Sequence, residues 1–286
     1  MGAVGLVLVF ACVFGVYVAE GNSMEMIIEA APGEIATILG AAVGALILSN
    51  HMTIVKGVGS GIGKVFKGAK YKKDDYLQTM FLVNKLMKML KSEGAVALEP
   101  HIENPESSAV FSEYPAILHD HDLLPLVTDT LRLLVVSSGN VSPYAVEEVM
   151  DHAIKHHHHA ALKPAEALAG MAGALPALGI VACVLGVVKT MAAIDQPPSV
   201  LGGLVGAALV GTFLGVLMAY GIVEPFSMRL KQVVDEEGEI QRVVKQIIIG
   251  NLHGHPPPLI IEAARVSINH DCQPTFAEVF DGMRGK

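Results

Sequence analysis

The chain has 286 residues, 52% hydrophobic and only 17% charged, with a mean hydropathy of +0.49. That balance excludes an ordinary soluble globule, and the length excludes a single-span anchor. Three scattered cysteines, Cys12, Cys183 and Cys272, form neither a disulfide framework nor a zinc site.

Four stretches lack Asp, Glu, Lys and Arg: 1–19, 35–55, 167–188 and 196–223. Each is close to the roughly 20 residues that cross about 30 Å of hydrocarbon as a helix. The first has no basic leading region and no convincing Ala-x-Ala site, so it reads as an uncleaved span rather than a signal peptide. Of the 20 Lys and Arg, twelve lie between Lys56 and Lys163 and seven after Pro225, whereas 20–34 holds four Glu and no base. The positive-inside rule therefore places both large polar regions and both termini in the cytoplasm, with two short loops outside.

In chain order, 1–55 forms a first transmembrane hairpin with a short acidic outer loop. The segment GVGSGIGKVFKG (57–68) superficially resembles a phosphate loop, but Val58 and Val65 stand where that pattern needs Gly and Ser or Thr. It reads as a flexible, basic exit from the second span, near the lipid headgroups. The cytoplasmic region 56–166 is expected to be helical. In 74–91 the residues at 77, 80, 81, 86, 87 and 90 are apolar, with Lys85, Lys88 and Lys91 on the other side, and Gly94 breaks the helix. A second helix covers 121–136. A third covers 142–155, with Ser142 as N-cap and Pro143 at the first helical position. The run His156–His159 reads as a solvated surface, because residues one apart do not share a helix face and no Cys or paired carboxylate completes a site. Residues 167–225 hold the third and fourth spans. The last region, 226–286, continues the fourth helix and ends with a Pro-rich turn and a short helix near 259–268. The fold class is all-α: a polytopic membrane protein with four transmembrane helices and a large helical cytoplasmic region.

No Ser–His–Asp, H-E-x-x-H or C-x-x-C arrangement points to an enzyme, and no cofactor or nucleic-acid partner is expected. The pairs Gly40/Gly44, Gly202/Gly206 and Gly211/Gly215 suit close helix packing; together they suggest an assembly. Pro176 and Pro225 each free a carbonyl near the inner end of a span, at what the topology makes one membrane level. Cys183 and Thr212 are the polar groups within the last two spans, at somewhat different expected depths, and Tyr220 lies nearer the inner face. Ion pathways usually display an intramembrane acid or base. None is expected in any of the four spans, so the chain either moves no ions or borrows that group from a partner.

LPALGIVACVLGVVKTM with LGGLVGAALVGTFLGVLMAYGIVEP resembles the paired third and fourth spans of the MotA family, the larger membrane subunit of bacterial flagellar stators. SEGAVALEPHIENPESSAVFSEYP, TLRLL (130–134) and GNLHGHPPPLIIEAAR are similar to that family's loop and tail, nearly colinear over the whole chain. The resemblance implies an inner-membrane, torque-generating subunit of flagellar rotation and chemotaxis. It implies a pentameric ring around two MotB-like chains that supply the membrane aspartate. Pro176 and Pro225 would couple proton movement to a conformational change, and Thr212 would line the path. Lys91 and Glu99 would meet the rotor switch protein FliG. Lys91 replaces a common Arg and loses the bidentate fork. Sodium-driven members carry a second threonine where this chain has Cys183; a thiol suits a hard cation poorly, which favours protons as the coupling ion over a sodium-driven stator. An ExbB/TolQ-like energiser of outer-membrane processes shares the paired spans but lacks this loop and tail. A purely structural scaffold would also use the close-packing glycines.

Overall fold

In a computed structural model, residues 2–137 and 141–284 are described, and among them every regular element is helical. In chain order the longer helices are α1 (Gly2–Ala19, with a π turn at Ala11–Gly15), α2 (Glu25–Ser49), α3 (Met52–Lys67), α4 (Lys73–Glu93), α5 (Ala95–Glu103), α6 (Leu123–Val136) and α7 (Pro143–Met191), with the short helices Ala109–Ser112 and Pro115–Leu118 between α5 and α6. After them come α8 (Pro198–Met218), α9 (Glu224–Glu237), α10 (Glu239–Leu252), α11 (Pro257–Val266) and α12 (Phe276–Arg284). Four stretches among the described residues are long and apolar enough to cross a membrane: Gly2–Ala19, Glu25–Ser49, Pro143–Met191 and Pro198–Leu252. The chain forms two compact units, one of residues up to Gly68 with Ala161–Val233, the other of Ala69–Ala160 with the residues from Val234 onward.

In the first unit α2 packs along α8. Ile38, Ala42 and Leu46 recur every fourth residue, so they share one face, and all three are buried. The far sides of the spans stay apolar and open: Val4, Leu8, Leu48, Val184 and Val188 are exposed, as lipid-facing or partner-facing positions must be. Two expectations are corrected here. The second span does not run to 55, because Asn50 takes an extended conformation (φ −133°, ψ 150°) and ends α2. Nor is 57–68 a flexible exit. It lies largely within α3, whose buried Val58, Gly61 and Val65 form a packing face. A Cβ at Gly57 would come 2.7 Å from Pro164 Cγ and one at Gly61 2.6 Å from a Leu230 methyl. Those glycines serve close approach rather than phosphate binding.

The second unit has a conventional apolar core. α4 contributes Tyr76, Met80, Val83, Leu86 and Met87, and α10 contributes Ile240, Val243, Val244, Ile247 and Ile248, both with helical periodicity. Val127, Leu131 and Leu134 of α6 and Ile260, Ile261 and Ala264 of α11 close it. α4 begins where Asp75 Oδ2 accepts the Lys72 amide at 2.8 Å and ends at Gly94, whose φ of +86° only glycine adopts readily. The expected helix at 142–155 and the expected third span are one unbroken helix, α7. Pro164 and Pro176 lie within it, each removing one backbone donor from the helix ladder.

Candidate functional site

The contacts between α7 and α8 fix their register. A Cβ at Gly179 would lie 2.8 Å from Gly211 O and 3.0 Å from Gly215 Cα, and one at Gly215 would lie 2.8 Å from Leu175 O. One at Gly186 would lie 2.9 Å from Ala208 Cα. Further along, buried Ser227 Oγ donates to Ala165 O at 2.8 Å. These backbones touch because the side chains between them are hydrogen atoms.

That register corrects two expected depths. Pro176 stands level with the neighbourhood of Val216, and Pro225 with that of Ala167. The prolines are therefore offset by about nine residues, or about 13 Å along the helices, rather than level. Cys183 and Thr212, expected at different depths, lie within about one turn, or about 5 Å, of one level. The prolines also differ locally. Pro225 cannot donate to Gly221 O, and there the helix widens into a π turn, Ala219–Val223. Around Pro176 the helix stays α throughout.

Thr212 also departs from the usual behaviour of a threonine in a helix. Thr37 donates to Gly33 O at 3.0 Å and Thr190 to Gly186 O at 2.9 Å, but among the described residues Thr212 Oγ1 has no hydrogen-bond partner. Its hydroxyl is free for water or an ion. Cys183 is half-buried and unpaired.

The expectation that no span owns an acid or base is overturned. The acidic segment at 25–34 is not a loop but the opening turns of α2. Glu34 Oε2 lies 2.5 Å from where a Cβ on Gly211 would be, next to Thr212, and Ala182 Cβ borders the same spot at 3.2 Å. The sequence held the signal: Glu34 precedes Ile38 by one four-residue step on the face that continues to Ala42 and Leu46. Reading charge-free stretches as the spans hid it.

In the second unit Lys91 and Glu99 sit on α4 and α5 on either side of the Gly94 turn, both exposed and, among the described residues, without an ion-pair partner. Val96, 82% exposed, lies between them. The surrounding scaffold is pinned by charge. Arg132 holds Glu103 through Nε at 2.6 Å and Nη2 at 3.3 Å, which joins α6 to α5. Asp120 is buried and accepts Lys70 Nζ at 2.8 Å, Tyr71 Oη at 2.7 Å and the amides of Asp122 and Leu123 at 3.0 Å each. Burial pushes its carboxyl upward, but these four hydrogen bonds outweigh it and hold the group below the usual carboxylate range. The histidine run lies on α7: His157 Nε2 is 3.1 Å from Asp122 and His158 Nε2 3.1 Å from Asp235. Among the described residues no group of three or more metal-ligating side chains gathers.

Four long apolar helices, with close glycine contacts between α7 and α8 and a helical second unit that presents exposed charge, define a multi-span membrane protein. The profile of the Motility protein A N-terminal family matches residues 3–94, and that of the MotA/TolQ/ExbB proton channel family matches 122–242. Motility protein A of Salmonella typhimurium is 38% identical over 280 residues, covering 98% of this chain and 94% of the relative. Motility protein A of Escherichia coli is 36% identical with the same coverage. The fold is that of the C. jejuni MotAB structure, with a TM-score of 0.72 at 20% identity, covering 94% of this chain and 96% of that one. The chain belongs to the Motility protein A family.

Proposed function

We propose that this chain is the ring-forming subunit of a proton-driven flagellar stator in a bacterial inner membrane, with both termini cytoplasmic. Copies of it, five by family resemblance, surround MotB-like helices whose aspartate completes the ion path. The observation that carries this reading is the free Thr212 hydroxyl on the glycine-packed α7–α8 pair, close in depth to Cys183. Each elementary charge crossing 100 mV delivers about 2.3 kcal/mol, and switching the partner's aspartate between charged and neutral would convert it into movement of the ring. Pro176 and the π turn before Pro225 mark where backbone hydrogen bonding is already relaxed, so bending there costs least. Torque would pass to the rotor protein FliG through Lys91 and Glu99. The N-terminal family match over 3–94 favours a stator over an ExbB-like energiser.

The test is Pro176→Ala and Pro225→Ala in a stator-less strain. Both variants should still assemble with the MotB-like partner yet abolish rotation; normal swimming under load in both would refute the coupling role. Unimpaired motility in sodium-free buffer is the expected result for protons, and arrest there would assign sodium.

A further inference from the structure

We infer that Glu34 is a proton-loading group of this chain, upstream of the partner's acid and needed when external protons are scarce. The inference rests on the proposed ion-conducting role.

Three observations carry it. First, Glu34 is deep. Its carboxylate lies against Gly211, 13 residues into α8, about 20 Å from the helix start at Pro198. An ionisable group at such a depth is a functional candidate by default, because the membrane makes it costly to keep there. Second, it is seated but unpartnered. The missing side chain of Gly211 makes the slot for its oxygen, and among the described residues Glu34 has neither a hydrogen bond nor an ion pair. A carboxylate tied to no other side chain can gain or lose a proton without breaking a bond elsewhere. Third, it opens onto space. A cavity of about 910 Å³, bounded by α1, α2, α7 and α8, contains Glu34 at its wall. Its titratable lining is Tyr17 from α1, Glu25 and Glu29 from α2 and Lys189 from α7, and α8 contributes no ionisable group. Three carboxylates against one ammonium give the cavity a negative field, which concentrates cations from water.

The step is a simple exchange. A hydrated proton in the cavity leaves its water and forms an O–H bond on the Glu34 carboxylate. The neutral acid then releases it to water beside α8, from which the partner's carboxylate takes it, and Glu34 returns to the anion. Charge and atoms balance, and no other reactant is needed.

The test measures proton flux, or motor speed at fixed load, of the complete complex across external pH. Glu34→Gln should match wild type at acidic external pH and fall several-fold below it at alkaline pH, with Glu34→Asp keeping most of the wild-type profile. Two outcomes overturn the inference: Glu34→Gln indistinguishable from wild type at every pH, or reduced by one constant factor, which a merely structural role would give. Should Glu34→Gln not assemble, Glu34→Ala carries the test in the same way: a flux that falls below wild type only at alkaline external pH supports the inference, and a profile that matches wild type at every pH, or is lower by one constant factor, overturns it. A wild-type complex that passes no protons would refute the proposed function instead, so the two failures are distinguishable.

Discussion

The two units use the same element for opposite ends. In the second unit, α4, α6, α10 and α11 turn their apolar faces inward and close a core around Leu82, Phe111, Leu131 and Ile247. In the first, backbones approach each other closely at Gly179, Gly186 and Gly215, while large apolar side chains such as Leu48 (90% exposed) stay exposed. Water drives the first kind of packing; the second needs fit, because hydrocarbon offers no gain for burying leucine. One unit buries its apolar faces within itself, and the other leaves large apolar side chains exposed along its spans.

The sharpest way to break this contrast is at Asp120. Asp120→Ala removes the acceptor for the Asp122 and Leu123 amides at the start of α6 and for Lys70 and Tyr71, and should destabilise the second unit by about 2–4 kcal/mol. Hydrogen exchange over 120–136 in the purified protein should rise while the spans keep wild-type protection; equal loss in both units would contradict a role for Asp120 confined to the second unit. Because the Asp120 carboxyl is held low in the folded state, its contribution is present above the unfolded value of about 3.9 and drains away as pH falls through the lower folded value. Acid melting of the wild type should therefore begin below that range, and Asp120→Asn should flatten this part of the pH dependence.

Next in size are the glycine contacts. Gly179→Ala or Gly215→Ala must push backbone against backbone and should cost about 1–3 kcal/mol, read as a lower melting temperature of the detergent-solubilised assembly. Neutral behaviour at both positions would show that the α7–α8 register is looser than described. Gly94→Ala, at φ +86°, should cost about 1–2 kcal/mol and act on the second unit alone.

The smallest stability effects belong to Lys91→Glu and Glu99→Lys. Both side chains are exposed and unpaired among the described residues, so each change should stay within about 0.5 kcal/mol. Each should nevertheless weaken motility, and a matched reversal on the rotor protein should restore part of it. A large loss of stability in either variant would make the motility defect a folding defect.

Legibility in the sequence followed the same divide. Amphipathic periodicity showed α4 and α6 within a few residues, and Gly94 marked its own break, because a water-facing helix writes two faces into its sequence. The spans are apolar on every side, so composition alone could not show which face packs or where a partner chain stands. Counting charge-free runs placed Glu34 outside the membrane, and counting residues from the inner end placed Pro176 and Pro225 level. Both errors came from treating spans as separate rods. The α7–α8 register is set by where glycines let two backbones meet, a property of pairs. The helix at α3 was missed because five glycines in 57–68 read as flexibility, although three apolar positions, Val58, Ile62 and Val65, were spaced for a helix.

The most direct test of the account is proton flux into vesicles holding this chain alone, compared with vesicles holding it together with the MotB-like partner. The account predicts no flux above empty vesicles for the chain alone, despite Glu34, and a voltage-driven flux when the partner's aspartate is present. A partner-independent proton current of the same size would contradict it.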